Sequence, residues 1–174
     1  ALLDLAHDRT VALESIPVPL NIGYIKAYAD KAHNNNLNIK LYKQASRYIE
    51  DLKHFKPEII GFSNYGWNEN LNKAVGNYTR KFLPKSLIVS GGPNLDPGEL
   101  ERINFFKSND YLDLVIVDGG EEPFSEIVSW FKGATKNKRN LPENVLWMDK
   151  DKLIYTGNRP LKKEITNILS PYLS

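Results

Sequence analysis

Cysteine is absent from the 174 residues of this chain, so the chain carries no disulfide and no thiolate that could ligate zinc or an iron–sulfur cluster. Histidine occurs three times, at His7, His33 and His54. The last two fall near expected helix ends and read as surface or capping residues, whereas His7 follows an expected strand, where a side chain can reach a ligand. No apolar run approaches the roughly 18 residues needed to cross a bilayer, and runs such as Leu112 to Val117 are strand-sized. The start, Ala1-Leu2-Leu3-Asp4, lacks the charged region and cleavage site of a secretory signal, so a cytoplasmic location is the expectation. Charge of one sign is also lacking. The 23 basic and 21 acidic side chains give a net charge of +2 with the signs interleaved, a pattern that argues against a nucleic-acid partner. The densest basic stretch, Lys132 to Arg139, contains glycine and asparagine and reads as a solvated loop.

What is present suits a globular domain. Hydrophobic residues make up 41% and charged residues 25% of the chain. A domain of this length can bury about 70% of its unfolded surface without staples. Short apolar runs recur at Leu2 to Ala6, Leu37 to Tyr42, Glu58 to Phe62, Ser86 to Val89 and Leu112 to Val117, each the length of a buried strand. Stretches with helical spacing lie between them. The first is expected from Leu20 to about Asn34, stopping at Asn34-Asn35-Asn36, and the second from Ala45 to His54, ended by Lys56-Pro57. The third is expected from Glu69 to Phe82, the fourth from near Asp96-Pro97, and the fifth from near Glu121. Such alternation predicts an α/β fold, a doubly wound, flavodoxin-like (Rossmann-like) sheet of five parallel strands with helices on both faces. Past Gly133 the alternation ends. Val145 to Met148 and Leu153 to Tyr155 predict an antiparallel hairpin, and the chain from Arg159 to Ser174 reads as an extended tail with one short helical patch. The expected division is residues 1–134 for the α/β domain and 135–174 for the hairpin and tail.

In open α/β sheets ligands bind beyond the carboxyl ends of the strands, where strand order reverses. The residues in those positions are Asp4 and His7, then Ser63-Asn64-Tyr65-Gly66-Trp67-Asn68, then Ser90-Gly91-Gly92-Pro93-Asn94, then Asp118-Gly119-Gly120-Glu121. Two glycine pairs, Gly91-Gly92 and Gly119-Gly120, would let a flat ligand or a phosphate approach the main chain. Each pair alone could equally be a tight turn. No G-x-G-x-x-G follows the first strand and no G-x-x-x-x-G-K-[ST] occurs, which argues against nucleotide hydrolysis. Glu121 and Glu122 open a helix, where acidic residues are favoured by the helix dipole without any function. Tyr65 and Trp67 could pack on a planar ligand or cover the core.

The order of these pieces resembles the N-terminal cobalamin-binding domain of cobalamin-dependent radical S-adenosylmethionine enzymes. The segments that carry the resemblance are Pro19-Leu20-Asn21-Ile22-Gly23-Tyr24, Lys56-Pro57-Glu58-Ile59-Ile60-Gly61-Phe62-Ser63, Ile88-Val89-Ser90-Gly91-Gly92-Pro93-Asn94, Asp118-Gly119-Gly120-Glu121-Glu122-Pro123-Phe124 and Ser170-Pro171-Tyr172-Leu173. The fourth is similar to a G-E-G-E-x-x-F pattern in which Asp118 and Gly119 replace the first two residues while Glu121 and Phe124 are retained. The D-x-H-x-x-G motif of methionine-synthase-type cobalamin domains has no counterpart in Asp4-Leu5-Ala6-His7-Asp8-Arg9-Thr10. Many members of the radical family also lack that motif and hold the cofactor without a histidine ligand, so by this resemblance its absence does not exclude binding.

The resemblance implies a cobalamin site drawn from Asp4, His7, Ser63, Asn64, Tyr65, Gly91, Gly92, Pro93, Asn94, Gly119, Gly120 and Glu121, with no protein metal ligand and no catalytic residue. The iron–sulfur cluster and S-adenosylmethionine would belong to a downstream radical domain, the expected partner. Two other readings stay open. One is a flavodoxin-like docking domain that has lost its cofactor. The other is a small transferase in which Asp4, His7 and Glu121 converge.

Overall fold

The computed structural model describes residues 1–7, 19–160 and Ser170. Strands and helices alternate in the order β1 (Leu2–Leu3), α1 (Leu20–Ala32), β2 (Leu41–Tyr42), α2 (Ala45–Asp51), β3 (Ile59–Ser63), α3 (Glu69–Phe82), β4 (Leu87–Gly91), α4 (Glu99–Ser108), β5 (Leu114–Ile116) and α5 (Glu121–Lys132). A hairpin of β6 (Val145–Asp149) and β7 (Lys152–Tyr155) follows. One sheet holds all the strands in the order β2-β1-β3-β4-β5-β6-β7. β1 to β5 run parallel, and β6 joins β5 antiparallel through Val115 opposite Leu146 and Ile116 opposite Val145. The expected α/β fold with its hairpin is therefore present, and the hairpin continues the sheet.

Side-chain alternation along the strands sorts the core into two layers. Leu2, Leu87, Val89, Leu114, Ile116 and Val145 face α1 and α5, where Ile22, Ala29, Phe124 and Ile127 meet them. Leu3, Ile60, Phe62, Ile88, Val115 and Leu146 face the other way, toward Tyr48, Leu52, Val75, Phe106 and Tyr111. Helices on both faces follow from strands that are apolar on both sides.

Several boundaries differ from the sequence expectation for local reasons. α1 ends at Ala32, two residues before Asn34 and Asn35, which take left-handed backbone at φ 53° and 56°. Asparagine tolerates that conformation, so the Asn cluster acts as a helix stop. α4 starts at Glu99, later than Asp96-Pro97, because the Asp96 carboxylate accepts the Gly98 N–H at 3.0 Å and holds a turn ahead of the helix. β2 is shorter than the run Leu37 to Tyr42, although Leu37 and Ile39 still pack on the α1–α5 layer. Beyond Pro160 the expected tail lies outside the described residues, Ser170 excepted, as do Asp8 to Thr10.

Polar ties pin the ends opposite the strand termini. Arg80 of α3 donates to the Tyr111 carbonyl at 2.7 Å and to the Asp113 carboxylate at 2.6 Å, while Asp113 also accepts the Ile88 N–H at 2.8 Å. One ion pair thus joins α3 to β4 and to the entrance of β5. After the hairpin, Arg159 pairs with Glu122 at 2.9 Å and also with Glu126, both on α5. Burial works against the Arg159 charge, but these carboxylates outweigh it and raise its pKa above the ordinary arginine value.

Candidate functional site at the strand-order reversal

β1 lies between β2 and β3, so the connections leaving the carboxyl ends of β1 and β3 diverge to opposite sides and leave a crevice between them. A pocket of about 220 Å³ opens there on the α1–α5 face. Its walls are Leu2, Gly61 and Val89 of the sheet, Ile22 and Ile25 of α1, and Phe124 of α5. Gly61 makes the hollow possible. A Cβ at that position would sit 2.7 Å from a Leu2 methyl and 3.4 Å from the Phe124 ring. The volume is below the roughly 300–1,000 Å³ of a site that engulfs a drug-sized ligand, so it suits one ring system of a larger molecule.

The polar groups at this end form a connected array. Asn21, in the first turn of α1, donates through Nδ2 to Ser63 Oγ at 2.7 Å and to the Tyr65 hydroxyl at 3.1 Å. Its Oδ1 accepts the Ile22 N–H at 2.8 Å. Behind Ser63, the fully buried Asn68 donates to the carbonyls of Leu5 at 3.2 Å and Ser63 at 3.1 Å, and its Oδ1 accepts the Tyr65 N–H at 2.9 Å. Asn72 adds a bond to the Ser63 carbonyl at 3.0 Å. Two asparagines of one helical row therefore fix the loop after β3, which a longer side chain could not enter. Tyr65 stacks on Trp67 with ring centres 4.3 Å apart and planes at 10°, and Trp67 is 68% exposed. The pair offers a flat aromatic surface at the pocket's edge.

Gly92, after β4, has φ 121°, and a Cβ there would lie 2.5 Å from the Asn64 carbonyl oxygen. Only glycine lets the two strand-end loops approach this closely, and the Asn64 N–H donates to the Gly91 carbonyl at 2.7 Å. Past β5 the turn is made by Asp118 at φ 62°, a left-handed position unusual for a residue with a side chain. Asp118 and Glu121 both line the pocket, which gives it an acidic side.

Of the residues singled out in the sequence, Ser63, Tyr65, Gly91, Gly92, Gly119, Gly120 and Glu121 line this one pocket. The others lie elsewhere. Asp4 is buried against Lys43 of the β2 end, at 2.8 Å, and its charge is spent in that pair. His7 Nε2 lies 3.2 Å from the Trp67 carbonyl on an exposed rim. Asn64 is buried behind the loop, its amide 3.4 Å from the Asn94 carbonyl. Pro93 and Asn94 border a separate open groove with Glu69, to which Asn94 donates at 3.1 Å. Among the described residues, Asp4 and His7 are not in the lining of the pocket that holds Glu121, an arrangement that does not favour the small-transferase reading. Among the described residues no group of three or more His, Cys, Asp or Glu could hold a metal ion, and no helix is long and apolar enough to cross a membrane.

Asn21, Gly61 and Phe124 line the pocket but were overlooked by strand-end reasoning, and Asp118, though placed at a strand end, was not among the residues chosen for the site. Asn21 was findable, because a helix entered from a parallel strand begins at the same edge as the strand ends. Gly61 was not, since a glycine inside an apolar run does not reveal which face it empties.

No family model matches the chain. In an alignment 128 positions long that covers 68% of the chain, it is 26% identical to the cobalamin-dependent radical SAM methyltransferase TokK of Streptomyces tokunonensis. The apo form of the cobalamin-dependent S-adenosylmethionine radical enzyme OxsB matches 92% of the chain with a TM-score of 0.65 at 18% identity. The first match marks homology to a part of TokK, and the second shows that the fold recurs in OxsB. The chain spans 18% of the length of TokK and 22% of the OxsB chain.

Proposed function

We propose that the chain is the corrinoid-holding module of a cobalamin-dependent radical S-adenosylmethionine enzyme. The observation that carries this reading is the hollow at the strand-order reversal, emptied by Gly61 and walled by Leu2, Ile22, Val89 and Phe124. Its size and carbon-rich lining fit the aromatic base at the end of the cofactor's nucleotide tail. The fit extends to the rim. Asp118 and Glu121 would accept from ribose hydroxyls and corrin carboxamides, the Ser63 and Tyr65 hydroxyls face the pocket that would take the base, and the Tyr65–Trp67 stack is a surface on which a macrocycle can lie. When bound, cobalamin would supply a cobalt centre able to carry a methyl group or an electron.

The chain's own residues bind and orient, and none is assigned a chemical step. A cluster and S-adenosylmethionine would be held by a downstream radical domain, since a chain without cysteine offers no thiolate for one. Methyl transfer is the reaction class this reading gives the parent enzyme, by likeness to a methyltransferase. In the same reading, residues 1–134 hold the cofactor and 135–174 lead toward that domain.

Equilibrium dialysis of the purified chain against hydroxocobalamin, read by corrin absorbance, is the test. Saturable uptake at one equivalent is expected, and no uptake would sink the proposal. The acidic side formed by Asp118 and Glu121 favours a second reading, a docking domain without cofactor. That reading gains if calorimetry shows tight binding to the catalytic domain and none to corrinoid.

A further inference from the structure

The Asn21 array has a direction. A backbone N–H can only donate, so the Asn21 atom that receives the Ile22 N–H at 2.8 Å is the carbonyl oxygen, and the atom facing Ser63 and Tyr65 is the amide nitrogen. That nitrogen is a donor and has no lone pair to offer. Its contacts at 2.7 Å and 3.1 Å therefore occupy acceptor positions on the two hydroxyls. Ser63 O–H and Tyr65 O–H are left to donate elsewhere, and both residues line the pocket.

We infer that Asn21 is a positioning residue that polarises the Ser63 and Tyr65 hydroxyls as donors, so that the pocket selects a ring bearing an unprotonated nitrogen or carbonyl acceptor. The inference rests on the corrinoid reading and narrows it to a ligand class: cobamides with a nitrogen-heteroaromatic lower base over those with a phenolic one. A ring without the acceptor covers the half-buried Ser63 and Tyr65 hydroxyls and gives neither proton a partner, and a donor desolvated without a partner weakens binding by about tenfold or more. The apolar walls contribute equally to either ring.

The experiment compares uptake of cobalamin, whose base is a benzimidazole, with uptake of p-cresolylcobamide, whose ring contains no nitrogen. The wild-type chain is expected to bind cobalamin about tenfold more tightly. Asn21→Asp keeps the shape and the bond from Ile22 but presents a carboxylate that accepts from both hydroxyls, reversing their sense. Its preference is expected to fall to within about twofold, an outcome that a merely structural role, weakening both ligands alike, would not produce. Ser63→Ala and Tyr65→Phe each remove one donor and are expected to reduce the preference in part, which keeps the test valid if Asn21→Asp does not fold. Equal binding of the two cobamides by the wild type, or a preference that survives Asn21→Asp, overturns the inference. Uptake of neither cobamide sinks the cofactor reading and the ligand selectivity with it. The array is then judged separately by ¹⁵N NMR of the cofactor-free chain. Slowly exchanging Asn21 side-chain amide protons, one of them released by Ser63→Ala, support it, and rapid exchange overturns it.

Discussion

Gly61 in β3 and Gly76 in α3 lie on opposite sides of the sheet and empty the same amount of space, yet the protein uses the two spaces differently. Beside Gly76 the room is filled by the Tyr111 ring, so close that a Cβ would fall 2.2 Å from it. Beside Gly61 a Cβ would fall 2.7 Å from a Leu2 methyl and 3.4 Å from the Phe124 ring, and all three residues line an open pocket. The neighbourhoods explain the contrast. Tyr111 is 4% exposed, sits edge-to-face against Phe62 at 5.9 Å, and has its carbonyl held by Arg80, so the α3 side closes on itself. On the α1–α5 side, the gap opens between the sheet and the first turns of α1 and α5. A missing side chain is thus a packing device where a ring can be anchored over it, and leaves a pocket where none is.

The largest effect that would test this contrast is on stability. Gly76→Ala must displace a buried ring and is expected to cost about 2–3 kcal/mol in urea denaturation while leaving corrinoid affinity within about twofold. A smaller effect is expected at the other glycine. In Gly61→Ala the clashing atom is a Leu2 methyl that can turn into the adjacent hollow, so stability should fall by less than about 1 kcal/mol. That same turn fills the pocket, and dialysis should show cobalamin binding weakened about tenfold. If Gly61→Ala unfolds the protein and Gly76→Ala abolishes binding, the two faces have been assigned the wrong way round.

The smallest effect concerns pH. Burial pushes the Tyr48 phenol up to about 12 against the hydrogen bond it shares with Thr79, and burial followed by the Glu69 charge raises that of Tyr111. A phenol whose pKa is higher folded than unfolded leaves stability untouched below about pH 10, then lowers it as the unfolded state loses its proton first. The urea midpoint should therefore hold from pH 8 to about pH 10 and drop above it. Tyr48→Phe should lessen that drop, because Thr79 keeps its bond to the Val75 carbonyl at 2.8 Å.

Much of the fold is legible in the sequence. The five apolar runs became the five parallel strands, and the helices between them followed their apolar spacing, with Asn34 and Asn35 stopping the first as expected. Part of the site was legible too, since small residues after buried strands mark the crevice. Ser63, Tyr65 and the glycines of both strand-end pairs meet there. Asp4 and His7 were placed by the same rule and yet lie outside the pocket, because the rule locates an edge of the sheet and is blind to which face a side chain takes. Lys43, 39 positions away, decides what Asp4 does. Asn94 likewise turns to Glu69 on the α3 side.

The sequence by itself determined the strand count, the helix spacing and the absence of any thiolate, because these depend on local periodicity and composition. Only the tertiary structure decided that Gly61 opens a pocket while Gly76 is filled, and that Asn21 reaches Ser63 across 42 positions. Those outcomes depend on which surfaces the chain brings together, and local pattern carries no information about the far side of a contact.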